Sequence, residues 1–305
     1  MKKLLSILLS LMLVVSLYSA VFAEDYTIVV NLKTLSSEYW QVVKGGIDKA
    51  AAELGFAIDV QGPAAETEIA EQVAQLETQL AQNPDAIVIA PLDQDAVIGS
   101  ITGANYQGIV VFCDTDANYA AKTAFVGTSN ELAAFSGGEY GVKINGANTK
   151  ALIIYGQEGD NTSNLRRAGY RRALEAIGLQ PVAELSGNNT TDGGLKVMED
   201  QLIANPDINL VLCHNDDTAV GALTAIEAAG ATGISIIGFN GDAFAVEIIA
   251  KGGSSLVGTI AQQPELMGYQ SIMAVVAALR GEDVPVEQPV DTVVIDASNV
   301  AQFIN

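Results

Sequence analysis

Polar side chains follow four apolar, strand-like runs of this sequence. Asp114 comes after Val110–Cys113, Asn215 after a run that ends in Cys213-His214, Asn240 after Ile236–Phe239, and Gln262 after Leu256–Ala261. Doubly wound parallel sheets bind ligands outside the carboxyl ends of their strands. Amides and carboxylates donate and accept hydrogen bonds in fixed directions, which suits hydroxyl groups. This pattern predicts a site for a small, neutral, polyhydroxylated ligand such as a sugar.

Aromatic and guanidinium groups are placed to complete such a site. Tyr39 and Trp40 follow the first strand, where flat rings can cover the apolar C–H face of a sugar ring. Trp40 also fits the apolar stripe of the helix predicted at 37–54, so it is equally a candidate for the core. Arg166 enters a helix after 156–164 and can direct its N–H groups to two neighbouring oxygens.

Helix capping is the competing explanation for polar residues after strands, because aspartate and asparagine commonly cap the next helix. We expect Asp216 and Asp217 to act as caps. Asn215 is one residue nearer the strand end, so we expect it to face the crevice.

Metal and enzyme sites are not supported by the sequence. His214, the only histidine, adjoins Cys213, but strand alternation separates their side chains and no third ligand is apparent, so we predict neither a metal nor a cofactor. Residues 110–116 resemble the Asp-x-Asp signature of phosphatases with an aspartyl nucleophile. Asn118 stands where that signature has Thr or Val, and apart from the nearby Lys122 its supporting motifs are missing. No nucleophile elbow is present either, so we predict that the protein is not an enzyme.

Two series of alternating strands and helices must position these residues. Helices are predicted at 37–54, 66–82 and 94–105 in the first series, at 163–176, 192–204, 217–229 and 243–251 in the second, and at 264–280 in the tail. Each series predicts a parallel sheet. Segments 75–85 and 197–207 share Glu, Gln, Leu and Asn-Pro-Asp at matching places, which indicates duplicated lobes. The predicted fold is α/β, with two doubly wound parallel-sheet lobes joined by a hinge.

The first residues predict export. Lys2 and Lys3 precede the apolar run 4–18 and a small-x-small cleavage signal that ends at Ala23. We therefore expect a signal peptide at 1–23, a mature chain that begins near Glu24, and a periplasmic location. An uncleaved membrane anchor is the alternative.

Composition and charge limit the partners and the bonding. Of the 305 residues 49% are apolar, enough for two cores, and the net charge of −21 repels nucleic acid and anionic lipid. Cys113 and Cys213 each end an apolar run, so we expect small buried hydrophobes rather than a disulfide.

Taken together, these motifs resemble the periplasmic pentose- and hexose-binding proteins typified by the ribose- and allose-binding proteins. The similar segments follow the family's order and spacing and are 29–46, 83–97, 110–114, 165–174, 194–207, 213–223, 236–242 and 258–268. The resemblance implies a type I periplasmic binding protein, a monomer that delivers its sugar to the permease of an ABC transporter. It also implies three hinge crossings near 127–129, 260–262 and 289–291. The lobes would then be 24–127 with 263–290, and 128–262 with 291–305.

The resemblance also assigns roles to residues. Tyr39 and Trp40 would stack on the sugar, Asp114 would grip its hydroxyls, and the binding Arg, Asn and Gln would be Arg166, Asn215 and Gln262. Similarity of 32–36 to the allose-binding protein adds Lys33.

Four positions depart from the family pattern and bear on which sugar binds. Ser37 stands where Asn is usual, Thr115 where the ribose binder has Arg, Asn189 where an aromatic often covers the other sugar face, and Asn240 where Asp is usual. A buried hydroxyl without its partner costs about 1–3 kcal/mol, enough to change the preferred sugar.

Two other functions remain open at this point. A ligand-responsive transcription regulator of the lac-repressor type shares the fold, but it carries a DNA-binding segment where this chain has the signal peptide. Presentation of a sugar or an autoinducer to a chemoreceptor would use the same two lobes and is compatible with transport.

Overall fold

The computed structural model describes residues 26–304, so the predicted signal peptide and its cleavage site lie outside the described residues. Two six-stranded sheets dominate the molecule. We call each sheet, with the helices packed on it, a lobe.

Lobe one contains a fully parallel sheet with the strand order β11-β5-β4-β3-β1-β2. Its strands are β1 (Ile28–Asn31), β2 (Asp59–Gln61), β3 (Ala86–Ile89), β4 (Ile109–Cys113), β5 (Ala124–Thr128) and β11 (Glu287–Val290). Its helices are α1 (Glu38–Leu54), α2 (Ile69–Leu80), α3 (Gln94–Gly103) and α9 (Pro264–Leu279), which packs against α1.

Lobe two repeats this order as β12-β10-β9-β8-β6-β7, with β12 antiparallel to β10. Its strands are β6 (Ala151–Tyr155), β7 (Ala183–Ser186), β8 (Leu210–Cys213), β9 (Ser235–Asn240), β10 (Leu256–Ala261) and β12 (Val293–Asp296). Its helices are α4 (Asn130–Asn145), α5 (Asn161–Glu175), α6 (Thr191–Ala204), α7 (Asp216–Ala229) and α8 (Ala243–Lys251). The matching strand order agrees with the duplication that the repeated sequence segments predict.

Both faces of each sheet are covered by helices, which explains why the strands are continuous apolar runs. Along β1, Val29 and Val30 point to opposite faces and join different cores, Val29 with Ile87 and Val30 with Val88. The two cysteines follow the same rule, since Cys113 and Cys213 are buried in the cores of lobe one and lobe two and form no disulfide.

The chain passes from one sheet to the other three times. These passages lie between β5 and α4, between β10 and α9, and between β11 and β12. The lobe limits given above stay a prediction. Within residues 26–304, no helix has both the length and the apolar character needed to span a membrane.

Helix α4 and strand β5 are absent from the series that the sequence predicts. Glycine lowers helix propensity, and α4 contains Gly137, Gly138 and Gly141. A Cβ on Gly137 would lie 2.3 Å from the side chain of Ile260, and one on Gly141 would lie 2.8 Å from Leu210. The glycines that weaken the helical pattern therefore allow α4 to pack closely on the sheet of lobe two.

Candidate functional site

A small polar cavity lies between the lobes. Its volume is about 20 Å³, about the space that one water molecule needs. The side chains that line it are Lys33, Ser37, Tyr39, Trp40, Glu66, Asp114, Thr162, Arg166, His214, Asn215, Asp217 and Asn240. This cavity lies where the topology of two parallel sheets places a ligand site.

The aromatic pair comes from the first turn of α1. Ser37 caps this helix, because its hydroxyl accepts a hydrogen bond from the backbone N–H of Trp40. The cap fixes the start of the helix and with it the positions of Tyr39 and Trp40. The rings of Tyr39 and Trp40 meet edge to face, with centroids 5.2 Å apart and an interplanar angle of 88°. Both residues are buried in the core of lobe one and also line the cavity, so Trp40 is part of the core, and its stacking on a sugar stays a prediction.

Asp114 directly follows β4 and has a φ of 65°, an uncommon backbone conformation for a non-glycine residue. Its Oδ2 accepts a 2.6 Å hydrogen bond from the Tyr39 hydroxyl, and its Oδ1 accepts one of 2.8 Å from Thr115. Burial, together with Asp114, raises the pKa of Tyr39 well above its usual value, so this hydroxyl remains a donor. The carboxylate is thus held in place at the cavity wall.

Arg166 reaches the cavity from α5 and is 3% exposed. Its guanidinium lies 3.6 Å from the centre of the Phe239 ring, while Nε donates to Asn130 and Nη1 donates to the backbone carbonyl of His214. These contacts fix the plane of the guanidinium in lobe two.

Asn215, rather than either aspartate, caps α7. Its Oδ1 accepts from the backbone N–H of Thr218 at 2.9 Å, while Asp216 and Asp217 lie in the first helical turn. The capping role predicted for the two aspartates is therefore wrong. Asp216 is fully buried and accepts from the backbone N–H groups of Gly241 and Asp242, and Asp217 lines the cavity. Asn215 combines capping with its predicted place at the cavity.

A chain of amides links the cavity to the passage between the lobes. Asn240 lines the cavity, and its Oδ1 accepts a 2.9 Å hydrogen bond from Gln262 Nε2. The Oε1 of Gln262 in turn accepts from the Thr128 hydroxyl at 2.7 Å. An aspartate at 240 would offer a charged acceptor to Gln262 but could not donate, as Asn240 does, to Asp242 Oδ2 at 3.2 Å.

Besides the bond of Gln262 with Thr128, further side-chain contacts cross from lobe one to lobe two around the cavity. Lys33 Nζ lies 2.6 Å from Asp160 Oδ2, with both side chains buried. Asn189 Nδ2 donates to Glu66 Oε2 at 2.6 Å, and Thr162 donates to Thr115 at 2.9 Å. The lobes are therefore in contact and the conformation is closed.

The structure brings most of the predicted residues to the cavity and places two behind it. These two are Asn189 of lobe two, which contacts Glu66 and Asn215, and Gln262, which contacts Asn240. Sequence analysis missed Glu66, Thr162, His214 and Asp217 as lining residues. Only His214 gave a signal, since it adjoins the strand end that precedes Asn215.

Burial also shifts the pKa values of His214 and Glu66 in this site. Burial, with the positive charges of Arg166 and Lys33 adding to it, lowers the pKa of His214 well below its usual value, so the imidazole is neutral. Burial also raises the pKa of Glu66, against the opposing effect of Lys33 and of the bonds from Trp40 and Asn189.

Asp116, the second aspartate of the Asp-x-Asp segment, makes a contact outside the cavity. Asp116 does not line the cavity and instead forms an ion pair with Lys122, 2.6 Å away. In the described part of the chain, no three His, Cys, Asp or Glu side chains lie close enough together to hold a metal ion.

Comparison with known proteins places this architecture in a family. The model of the periplasmic binding protein domain matches residues 28–283. The D-ribose/D-allose-binding protein of Pseudomonas aeruginosa is 30% identical, with 90% of this chain and 92% of that protein covered. The ribose import binding protein of Escherichia coli is 28% identical, with 95% and 97% covered.

Solved structures agree with the sequence relatives. A carbohydrate transporter solute-binding protein from Agrobacterium radiobacter in complex with D-arabinose has a TM-score of 0.86 and 27% identity, with 93% of this chain and all of that chain covered. An ABC transporter solute-binding protein from Agrobacterium vitis with bound D-fucose has a TM-score of 0.85 and 29% identity, with 90% and 96% covered. With a family model that spans most of its length and the same two-lobed fold, this chain belongs to the periplasmic binding protein family.

Proposed function

We propose that this protein captures a neutral monosaccharide between its lobes and delivers it to the permease of an ABC transporter. The observation that supports this most directly is the cavity between the sheets, where an aromatic pair adjoins buried, directional polar groups. The names of the relatives and solved structures described above state that these proteins bind sugars. Their similarity to this protein extends over nearly the whole chain.

The charges at the cavity favour an uncharged ligand. Lys33 is paired with Asp160, and Asp114 already accepts from Tyr39 and Thr115. Arg166 uses Nε and Nη1 within the protein, which leaves Nη2 for a ligand oxygen. Hydroxyl groups can join such bonds as both donors and acceptors, so a neutral polyhydroxylated ligand suits groups that already have partners within the protein.

Binding requires the lobes to separate and close again. The cavity of the closed conformation has room for about one water molecule, so a sugar can enter only when the contacts of Lys33 and Glu66 across the lobes are broken. Three passages of the chain between the lobes allow this movement through a few backbone dihedrals. On closure around the sugar, the lining side chains would move to make room for it and the ion pair of Lys33 with Asp160 would form again.

A calorimetric titration tests the proposal. The mature protein is first screened by thermal shift against pentoses, hexoses, polyols and inositols, and each ligand that raises the melting temperature is titrated. We expect a stoichiometry of one and saturable binding of at least one neutral sugar or cyclitol. Stabilisation by amino acids or autoinducers alone would refute the ligand class.

Export and the oligomeric state belong to the same proposal. We expect a monomeric, periplasmic protein whose N-terminus, read by mass spectrometry, lies near Glu24. An uncleaved chain in the cytoplasmic fraction would instead favour a regulator of the lac-repressor type.

A further inference from the structure

A polar wall borders the cavity beside the indole of Trp40. It consists of two lining residues, His214 of lobe two and Glu66 of lobe one, with Asn189 of lobe two behind them, and these residues meet around Gly156. A Cβ on Gly156 would lie 2.2 Å from Asn189 Oδ1 and 2.9 Å from the ring of His214. The absence of a side chain at Gly156 therefore allows His214 and Asn189 to lie side by side.

Glu66 connects this wall to the aromatic pair. Its Oε1 accepts from the indole N–H of Trp40 and its Oε2 from Asn189 Nδ2, both at 2.6 Å. Asn189 is fixed by further bonds, since its Oδ1 accepts from the backbone N–H of Gln157 and its carbonyl from Asn215. The carboxylate of Glu66 is therefore a fixed acceptor at the edge of the cavity.

His214 is the incompletely bonded member of the wall. The residue is 4% exposed, it lines the cavity, and its Nδ1 has no hydrogen-bond partner among residues 26–304. A neutral imidazole carries one donor and one acceptor nitrogen, so either tautomer can pair with a hydroxyl group. Buried polar atoms rarely lack a partner, and a bound ligand would supply one here.

The cavity thus offers two kinds of surface to a ligand. Tyr39 and Trp40 offer flat rings that suit an apolar C–H face, whereas Glu66 and His214 offer hydrogen-bonding atoms. An all-equatorial pyranose carries its hydroxyl groups around the rim and presents C–H groups on both faces. With one face on these rings, which come from lobe one, such a ring would present only C–H groups to His214 of lobe two and leave its Nδ1 unpaired.

We propose that the polar wall recognises a hydroxyl group that projects from one face of the ring. The preferred ligand is then a monosaccharide or cyclitol with an axial hydroxyl, bound with its apolar face toward Trp40 and its hydroxylated face toward His214. This inference rests on the proposed function, because it specifies the ligand of the same cavity.

Calorimetric comparison of isomers tests the inference. The probes are D-glucose, which is all-equatorial as the β-pyranose, against D-allose and D-galactose, each with one axial hydroxyl, and scyllo-inositol against myo-inositol. We expect at least one axial isomer to bind ten times more tightly than its all-equatorial counterpart. Equal or tighter binding of the all-equatorial isomers would refute the polar-wall inference alone, and no binding of any sugar or cyclitol would refute the proposed function as well.

The His214→Met variant tests the residue itself. The imidazole makes no side-chain hydrogen bond among the described residues, so the exchange removes none and the thermal unfolding midpoint should hold. We expect the preference for the axial isomer to fall at least fivefold. Ser163→Ala is the matched control, because its Oγ is also buried and unpartnered but does not line the cavity. An unchanged preference in His214→Met, or an equal loss in Ser163→Ala, would remove His214 from the recognition of the ligand.

Discussion

The ion pair between Lys33 and Asp160 should contribute strongly to ligand affinity, because it forms only when the lobes meet. The two side chains are 3% and 1% exposed, and their atoms are 2.6 Å apart. Removing one partner of a buried ion pair costs about 3–5 kcal/mol, since the other charge stays buried and uncompensated. In the open protein Asp160 would be solvated. In Lys33→Met, the free-energy cost of burying its unpaired charge is therefore incurred when the lobes close.

The expected result is a weaker apparent affinity with an unchanged fold. A cost of about 3–5 kcal/mol corresponds to a Kd that is higher by a factor of about 100 to several thousand. Calorimetry with the sugar found in the screen measures this change, and small-angle X-ray scattering shows whether the unliganded variant is more open. Thermal unfolding should change little, because the pair joins two lobes that each have their own core.

A second substitution separates lobe closure from direct contact with the sugar. Asp160→Asn retains the Oδ1 that caps α5 by accepting from Thr162 N, and it removes the uncompensated charge. The double variant Lys33→Met with Asp160→Asn should therefore recover most of the lost affinity. Lys44→Met, which breaks the exposed pair of Lys44 with Asp48, is the control and should change nothing. Wild-type affinity in Lys33→Met would refute the reasoning, and a double variant as weak as the single one would assign Lys33 to the sugar instead.

Three further predictions concern single side chains. Asp114→Ala should weaken sugar binding by at least a hundredfold in calorimetry while the circular dichroism spectrum is retained, and unchanged affinity would remove Asp114 from the site. Arg166→Met keeps an apolar contact with Phe239 but loses every N–H donor, so binding should fall by a similar factor, and a protein that still binds normally would exclude the guanidinium. Burial raises the pKa of Asp217 from 3.8 to about 6, and the negative charges of Asp216 and Glu38 add to this effect. The folded state thus holds this proton more tightly, so stability falls as pH rises from about 4 to about 6. In urea unfolding, the stability of Asp217→Asn should fall less over this pH range than that of the wild type. Identical pH profiles of the two proteins would contradict the prediction.

The strands of both sheets are predictable from the sequence because they are buried on both faces. A parallel strand covered by helices on both faces must be apolar throughout, so β3 and β4 are visible as unbroken runs. The boundaries of α2 were less predictable. The helix begins at Ile69 rather than 66. Residue 66 instead lies outside the helix, where its carboxylate bonds to Trp40 and Asn189.

The site was predictable only where the sheet topology places it. Asp114, Asn215 and Asn240 lie at the carboxyl ends of strands, so their place follows from strand order. The partners of Lys33 and Glu66 could not be found in this way. Lys33 and Asp160 are 127 residues apart, and Glu66 and Asn189 are 123 apart. No local pattern records such pairs, because they exist only after both lobes have folded and closed.

Affinity and selectivity should therefore depend on different residues of this cavity. A contact that forms in the closed protein with any ligand stabilises every complex equally, and only a group that touches the ligand can distinguish two ligands. Lys33→Met should raise the Kd of all bound sugars by one common factor, since Asp160 is desolvated in each complex. His214→Met should change the ratio between isomers instead. A selectivity that changes with the ion pair, and not with His214, would show that the lobes close to different extents around different sugars.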